Sequence, residues 1–158
     1  MKGFGLGSPI DLGGVTVARP PKRRHVEFIP DTKLFKPAGI PMRELEEVVL
    51  TVEELEAIRL RDVEGLEQEP CAERMNISRP TFVRIINSAR TKVAEALVRA
   101  KAIRIEGGTY RFVGPFRCGD CGREWRHIRG KIDGECPECH STNWEPGGMR
   151  RQRGNGGS

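Results

Sequence analysis

The sequence predicts a mainly α fold, in which a helical bundle containing a helix-turn-helix is followed by a small β domain held by four cysteines. Three observations carry this prediction. Two helical segments on either side of residue 76 are joined by only a few residues. The charge changes sign there, since residues 44–75 hold three Lys/Arg against eleven Asp/Glu, whereas residues 76–104 hold seven against one. Two C-x-x-C pairs then follow residue 115.

Length and composition narrow the class of protein. A chain of 158 residues can form one average domain or two small ones, which is too little for a large catalytic scaffold. The hydrophobic fraction of 37% is low for a fully packed chain, so we expect tails or linkers. No apolar run reaches the roughly 18 residues of a membrane span, and the first residues lack the apolar stretch of a signal peptide. We therefore expect a cytoplasmic, nucleoid-associated protein without a membrane partner.

The chain divides into five predicted segments. Residues 1–17 and 147–158 are Gly-rich without periodicity, which is typical of disordered segments. Residues 18–41 alternate basic and apolar side chains around five prolines, which predicts a basic arm or a short edge strand. Residues 42–108 form the predicted helix-turn-helix domain, and residues 109–146 form the predicted zinc ribbon.

Helical periodicity begins at Met42. The apolar positions are Leu45, Val48 and Val49, then Leu55, Ile58 and Leu60. Thr51 and Glu54 have the spacing of a capping box, and Gly65 is expected to end the helix that they open. Two further helices are predicted over Glu67–Met75 and from Arg79 to about residue 102. The segment TYRFV then has the period of a strand.

The joint between the second and third helices has the residues that a tight turn between helices needs. Ala72 is small where the helices approach, and Asn76 stands where the backbone must be left-handed. Ser78 is expected to cap the third helix, and Pro80 suits its first turn. Five positions that must be apolar are apolar: Cys71, Met75, Ile77, Phe82 and Ile85. Cys71 is therefore interpreted as a packed thiol.

The face of the third helix opposite this core predicts DNA binding. It carries Arg79, Thr81, Arg84, Asn87, Arg90 and Lys92. Arg can pair with guanine and Asn with adenine in the major groove, and the first three residues are placed to read bases. The last three are expected to hold the phosphate backbone. The alternative is an ordinary bundle with a solvated basic face.

The basic arm supplies a second predicted contact with DNA. Its cations are Arg19, Lys22, Arg23 and Arg24. They are expected to follow phosphates or to enter an adjacent minor groove.

The remaining four cysteines predict a structural metal site. They are Cys118, Cys121, Cys136 and Cys139, with fourteen residues between the two pairs. Two such knuckles present four thiolates at the corners of a tetrahedron, so one Zn²⁺ per chain is expected, without an open position for catalysis. Iron remains a rival, because it fits the same ligands. Disulfides are the other alternative, and His127 and His140 could replace a lost ligand.

Four phrases in the chain carry a family resemblance: FKPAGIP, RLRDVEGLEQE, SRPTF and AIRIEGG. With them, residues 19–108 resemble, nearly end to end, the prokaryotic family catalogued as domain of unknown function 134, also called uncharacterised protein family 0251. The resemblance implies DNA binding, the property by which that family is described. The cysteine segment and the Gly/Arg tail lie outside the matching run.

The helix-turn-helix of that family is similar to region 4 of bacterial sigma factors, in which the segment matching ISRPTFVRIINSAR reads a promoter element. The resemblance implies a sigma region 4-like fold of winged-helix type. Carried over by position, it points to Arg79, Pro80, Val83 and Arg84 as groove-facing. Pro80 and Val83 replace polar readers of the sigma pattern, so the target sequence does not transfer.

Together, these observations predict a sequence-specific DNA-binding protein, a transcriptional regulator whose partner is double-stranded DNA. RNA polymerase or another protein is a candidate partner of the zinc ribbon. The rival hypotheses are a protein-interaction adaptor and a regulator that senses metal or redox state through the four cysteines. No enzymatic activity is expected, because the sequence contains no nucleophile–base pair, phosphate loop or open metal site.

Overall fold

The computed structural model describes residues 22–126 and 134–147, together with the backbone of two strands near the N-terminus. The strands are β1 (Ile10–Leu12), β2 (Val15–Val17), β3 (Arg24–Val26), β4 (Leu34–Phe35), β5 (Glu47–Leu50), β6 (Ala102–Ile105), β7 (Tyr110–Phe112), β8 (Phe116–Cys118), β9 (Glu124–Trp125) and β10 (Trp144–Pro146). The helices are α1 (Val52–Ile58), α2 (Gln68–Arg74) and α3 (Arg79–Val98). A π-helical turn, Arg59–Val63, extends α1.

The prediction of a mainly α fold, a helical bundle followed by a small β domain, is wrong. The described chain is a mixed α/β fold, in which ten strands pair into four small sheets beside the three helices. Where helical periodicity was expected from Met42, a single 3₁₀ turn is followed by β5. Val48 and Val49 are β-branched, and a run this short fits a strand as well as a helix.

The third helix is also shorter than the sequence predicts. It ends at Val98, because Ala100 takes a left-handed conformation with φ of 52° and the amide of Lys101 donates to the carbonyl of Ala96 at 2.9 Å. The chain then enters β6. Within the described residues, no helix combines the length and the apolar composition needed to cross a membrane.

The strands pair into small sheets that join segments far apart in the chain. β6 is the centre of a three-stranded sheet, with β4 antiparallel on one side and β5 parallel on the other. Parallel neighbours need a long connection, and here α1, α2 and α3 supply it. β3 pairs in parallel with β7, and β8 lies between β9 and β10 in an antiparallel sheet. We call this last sheet the cysteine sheet. β1 and β2 form an antiparallel hairpin within the segment predicted to be disordered.

The joint between α2 and α3 forms as its residues predict. Asn76 has φ of 54°, and Ser78 caps α3 by accepting a hydrogen bond from the amide of Thr81. The amide of Ile77 donates to the carbonyl of Ala72 at 3.0 Å, which closes the turn. The capping box of α1 between Thr51 and Glu54 is also present.

Two apolar clusters form the core. The first joins α1, its π-helical turn, α2 and α3 through the buried residues Ala57, Leu60, Cys71, Ala72, Met75, Phe82 and Ile86. The prediction that Cys71 is packed is confirmed, since it is fully buried. The second cluster joins the sheets to the helices through Val26, Leu50, Val52, Ala89 and Ile105. Val26 of β3 thus places part of the predicted basic arm in the core.

The segment around β3 is held on the helices by a buried carboxylate. Glu56 of α1 is fully buried, and its Oε1 accepts a hydrogen bond from the backbone amide of Glu27 at 3.0 Å. Arg59 donates to both carboxylate oxygens of Glu56, at 2.8 Å each. The amide of His25 donates to the carbonyl of Met75 at 2.9 Å, so β3 is tied to α1 and α2 together.

The side chain of Glu27 completes this network. It accepts hydrogen bonds from Arg74 and Arg59, and it lies 3.5 Å from Arg126. Burial opposes ionisation of Glu27, but the hydrogen bond and the charge of Arg74 hold its pKa below the usual range. Arg59 and Arg74 also pair with Glu64. The network therefore connects β3, α1, α2 and the cysteine sheet.

Replacing Glu56 should test how far the fold depends on this contact. We expect Glu56→Ala to lower the free energy of unfolding by about 3 kcal/mol, because Arg59 and the Glu27 amide lose their buried acceptor. Glu44→Ala is the matched control, because Glu44 is exposed and its ion pair within the described part of the chain is with its exposed neighbour Arg43. Urea unfolding of both variants measures the difference. Equal stability of the two variants would contradict the assignment.

Candidate functional site

The first turns of α3 present polar side chains to solvent. Arg79 and Arg84 are exposed, and Thr81 is half-buried. Nε of Arg79 donates to Oε1 of Gln68 at 3.0 Å, and Nη2 of Arg84 lies 3.5 Å from Oγ1 of Thr81. The three side chains predicted to read bases therefore lie together at the N-terminal end of α3, and their contacts are with neutral groups.

The next cations of α3 are paired with carboxylates of the same chain. Arg90 donates to Asp62 at 2.5 and 3.2 Å, and this hydrogen bond raises the pKa of Arg90. Lys92 donates to Oε2 of Glu54 at 2.8 Å. Burial opposes ionisation of Glu54, but hydrogen bonds from Lys92 and Ser88 hold its pKa below the usual range. Both cations predicted to hold phosphates thus also connect α3 to α1 and its π-helical turn.

The remaining residues predicted to contact DNA lie in different environments. Asn87 and Pro80 are exposed, and Val83 is half-buried. Arg23 is exposed, whereas Arg24 is half-buried in β3 and its Nε has no hydrogen-bond partner among the described residues. The predicted contact by Arg19 and the substitute ligand His127 lie outside the described residues.

The four cysteines predicted to bind metal come together at the cysteine sheet, with Cys118 at the end of β8 and the other three in the turns beside it. Their sulfurs all lie within 4.8 Å of one another, and the pairs Cys118–Cys139 and Cys121–Cys136 are both 3.6 Å apart. A tetrahedral ion with metal–sulfur bonds of about 2.3 Å separates its sulfurs by about 3.8 Å. The cluster therefore fits one thiolate-bound metal ion. Its four ligands would fill a tetrahedron.

Both knuckles have the same backbone hydrogen bonds. The amide of Cys118 donates to the carbonyl of Arg123 at 2.8 Å, and the amide of Cys136 donates to the carbonyl of Ser141 at 2.9 Å. In each knuckle, the amide four residues beyond the first cysteine donates back to the carbonyl of that cysteine at 3.0 Å. The two ligand pairs are thus held by equivalent turns.

The turns depend on one left-handed residue each. Gly122 has φ of 74°, and His140 has φ of 58° at the equivalent position of the second knuckle. Glycine adopts this conformation without strain, whereas histidine adopts it at some cost. His140 is exposed and lies directly after Cys139, so its backbone shapes the turn that carries that ligand.

A carboxylate connects the two knuckles. Asp120, inside the first knuckle, accepts hydrogen bonds from the hydroxyl of Ser141 and from Nδ2 of Asn143, the latter at 2.9 Å. These two donors lower the pKa of Asp120. The amide of Gly119 also donates to the carbonyl of Asn143 at 2.9 Å, and an added Cβ at Gly119 would lie 2.6 Å from that side chain. A side chain at Gly119 would therefore have to displace the Asn143 side chain that donates to Asp120.

The cluster favours a bound cation electrostatically. Backbone amides, first that of Cys121, lower the pKa of Cys118 to about 7. The amide of Ser141 opposes the shift at Cys139, but desolvation and the neighbouring sulfurs raise its pKa to about 12. Four adjacent thiolates repel one another, so full ionisation of the set needs a positive ion among them.

Aromatic residues surround the cysteine sheet, and the sequence did not indicate how their rings pack. The ring of Phe116 lies 5.0 Å from that of Phe112, 4.9 Å from that of Trp144 and 5.5 Å from that of Trp125. This packing was not predictable from the sequence, because Phe112 and Trp144 belong to strands far apart in the chain.

The fold and the site together define a small mixed α/β protein with a candidate four-thiolate metal site in its C-terminal sheet. Comparison with known proteins identifies the family of the chain. The chain belongs to the family described as protein of unknown function DUF134, which matches residues 15–113. No solved structure matches the chain significantly.

Similar proteins occur in several bacteria and cover most of the chain. A UPF0251 protein of Moorella thermoacetica is 62% identical over 136 residues, which is 85% of this chain and 91% of the relative. A UPF0251 protein of Desulforudis audaxviator is 58% identical, covering 78% of this chain and 82% of the relative. One of Thermoanaerobacter pseudethanolicus is 63% identical over 69% of this chain and 92% of the relative.

Metal analysis should test the cysteine cluster. We expect purified protein to bind about one metal ion per chain, and Cys118→Ser to lose it, because three thiolates hold the ion less well than four. Cys71→Ser is the matched control, since Cys71 lies in the helical core, away from the cluster. Undiminished metal in Cys118→Ser, together with Cys136→Ser, would contradict the site.

Proposed function

We propose that this chain is a sequence-specific DNA-binding protein that acts as a transcriptional regulator. The observation that carries the proposal is the unit formed by α2, its left-handed turn at Asn76 and α3, which holds Arg79 and Arg84 outward at the N-terminal end of α3. This arrangement suits a recognition helix of a helix-turn-helix, whose first residues reach base edges in the major groove.

The side-chain chemistry of α3 supports base reading. Arg79 and Arg84 can each donate two parallel hydrogen bonds to guanine, and Asn87, one turn further on, can pair with adenine. No acidic side chain pairs with either arginine among the described residues. Both guanidinium groups are therefore available to a duplex without first breaking an ion pair.

Arg90 and Lys92 are proposed to contact the phosphate backbone. Both are held by carboxylates, so a phosphate has to compete with Asp62 for Arg90 and with Glu54 for Lys92. The side chain of Lys92 is 33% exposed, whereas that of Arg90 is 50% exposed. Arg90 is therefore the more accessible of the two. Replacing its partner Asp62 tests whether a carboxylate competes with phosphate for this cation. Arg23 and Arg24 are proposed as further DNA contacts.

The metal is proposed to be Zn²⁺ with a structural role, held by the four cysteines. Four thiolates leave no position for a substrate or a water molecule, so we propose no catalytic activity. The strands of the cysteine sheet have only two or three residues each, too few to bury a core of their own, and a bound ion would supply free energy that orders the sheet. We propose that its exposed surface binds RNA polymerase or another protein of the transcription apparatus.

Selection of bound duplexes from a random library should test base reading by α3. We expect metal-loaded protein to enrich one sequence motif, and Arg84→Ala to lower its affinity for that motif by about 1–3 kcal/mol and to relax one or two base positions. The loss arises because the paired hydrogen bonds to a base edge disappear.

Arg99→Ala is the matched control for this experiment. Arg99 is an exposed arginine beyond the C-terminal end of α3, so its removal changes the net charge equally. It should leave the enriched motif unchanged. If Arg84→Ala and Arg99→Ala weaken all duplexes alike, or if no motif emerges, the protein-interaction adaptor becomes the better hypothesis.

Removing the carboxylate of Asp62 should test the competition for Arg90. We expect Asp62→Asn to raise the affinity for all duplexes by less than about tenfold, because an exposed ion pair contributes about 1 kcal/mol or less. The slope of log affinity against log salt should steepen by about one unit if Arg90 gains a phosphate. The measurement is duplex binding at several salt concentrations.

Glu44→Gln removes the same charge near the C-terminal end of α3 and serves as the control. It should raise affinity only slightly, without a change in salt slope. An identical effect of both variants would show that Arg90 does not contact phosphate.

A further inference from the structure

A cleft lies where the β3–β7 pair meets the cysteine sheet. Its volume is about 610 Å³, many times the roughly 30 Å³ that one water molecule occupies in the liquid. Its polar lining is Arg23, His25, Asn76 and Arg111, and aromatic rings form the rest. The cleft is therefore large enough to admit a charged group of a partner molecule.

The strand pairing gathers three of these polar side chains on one face. β3 and β7 are parallel, and His25 lies opposite Arg111 in their register. Successive side chains of an extended chain alternate between its two faces, so Arg23, directly before β3, shares the face of His25. Val26 takes the other face, where it is fully buried in the second apolar cluster. The pairing thus brings together basic side chains from segments far apart in the chain.

The cleft is positive. Arg23 and Arg111 are both exposed, and within the described part of the chain no carboxylate lines the cleft. The aromatic wall includes the buried ring of Phe116. A cleft with one sign of charge and low-dielectric walls concentrates its electric field, and this raises the local concentration of oppositely charged groups. The cleft therefore favours an anion.

The cleft also adjoins the end of α3 that is proposed to read bases. Asn76, which lines it, is the left-handed residue of the turn before α3, three positions before Arg79. Three consecutive Cα–Cα steps of about 3.8 Å span at most about 11 Å. The major groove of DNA is about 12 Å wide, and phosphates border it on both sides. A phosphate that borders the groove entered by α3 is therefore within reach of the cleft.

We propose that Arg23, His25 and Arg111 bind a backbone phosphate of the DNA duplex that α3 reads. This inference rests on the proposed function and extends it to a phosphate site outside α3. An arginine guanidinium donates paired hydrogen bonds to phosphate oxygens, and the imidazole of His25 and the amide of Asn76 offer further N–H donors. Contacts of this kind fix the position of a protein on the duplex without reading its sequence.

Duplex binding by Arg111→Gln protein should test the proposal. The probes are the duplex enriched by the selection and an unrelated duplex, each measured at several salt concentrations with metal-loaded protein. We expect Arg111→Gln to weaken binding of both duplexes by the same factor, about three to ten, because a charge-assisted hydrogen bond to phosphate is lost. The slope of log affinity against log salt should fall by about one unit, and the enriched motif should stay the same.

Arg43→Gln is the matched control. The side chain of Arg43 is 81% exposed and does not line the cleft, so its replacement removes the same charge elsewhere. Arg111→Lys keeps the charge and should keep the salt slope, which separates loss of the phosphate contact from damage to the β3–β7 pair. Equal effects of Arg111→Gln and Arg43→Gln would overturn the proposal, and so would a slope as low in Arg111→Lys as in Arg111→Gln.

Neutral replacement of single phosphates should locate the contact. A methylphosphonate at one position beside the enriched motif should weaken binding by the unaltered protein about three- to tenfold. The same replacement should have no effect on Arg111→Gln protein, because the contact is already absent. If every methylphosphonate affects the two proteins alike, no phosphate lies in the cleft.

The two proposals fail in different ways. An enriched motif that depends on Arg84, together with Arg111→Gln protein that behaves like the control, leaves the proposed function in place and removes only the phosphate site. If no motif emerges and duplexes do not bind, both proposals are wrong.

Discussion

The buried carboxylate of Glu56 is the contact on which the rest of the arrangement depends. It accepts hydrogen bonds from the Glu27 amide and from Arg59, so it binds a strand from the N-terminal segment to the first helix. Burying a charge is unfavourable unless its hydrogen-bonding capacity is filled, and here one guanidinium and one amide fill it. Once β3 is fixed in this way, β7 can pair with it, and this pairing sets the position from which the cysteine sheet begins.

The cysteine sheet is then joined to the core through its aromatic residues. Phe112 belongs to β7 and packs against the second apolar cluster, while Phe116 begins β8 and contacts Phe112 edge to face. The orientation of Trp144 depends on β10, which pairs with β8 beside the first cysteine knuckle. The rings of Phe112, Phe116 and Trp144 therefore connect the packing of the helical core to the arrangement of the four cysteines.

Local chemistry made part of this structure predictable. The capping box of Thr51, the left-handed Asn76 and the four clustered cysteines each depend on residues close in sequence or on a fixed spacing. The mixed α/β fold was not predictable in this way. The parallel pairing of β5 with β6 joins residues more than fifty positions apart, and an apolar pair such as Val48 and Val49 fits either period.

The same limit applies to the charges of α3. The sequence shows a basic block after an acidic one, but it does not show which cations are neutralised by which acids. In the structure, Arg90 and Lys92 pair with Asp62 and Glu54, whereas Arg79 contacts a neutral glutamine. The acidic block therefore neutralises the middle of α3 and leaves its N-terminal end positive. A helix charged in this way attracts a polyanion most strongly at its N-terminal end, because attraction by unpaired cations is not offset by nearby carboxylates.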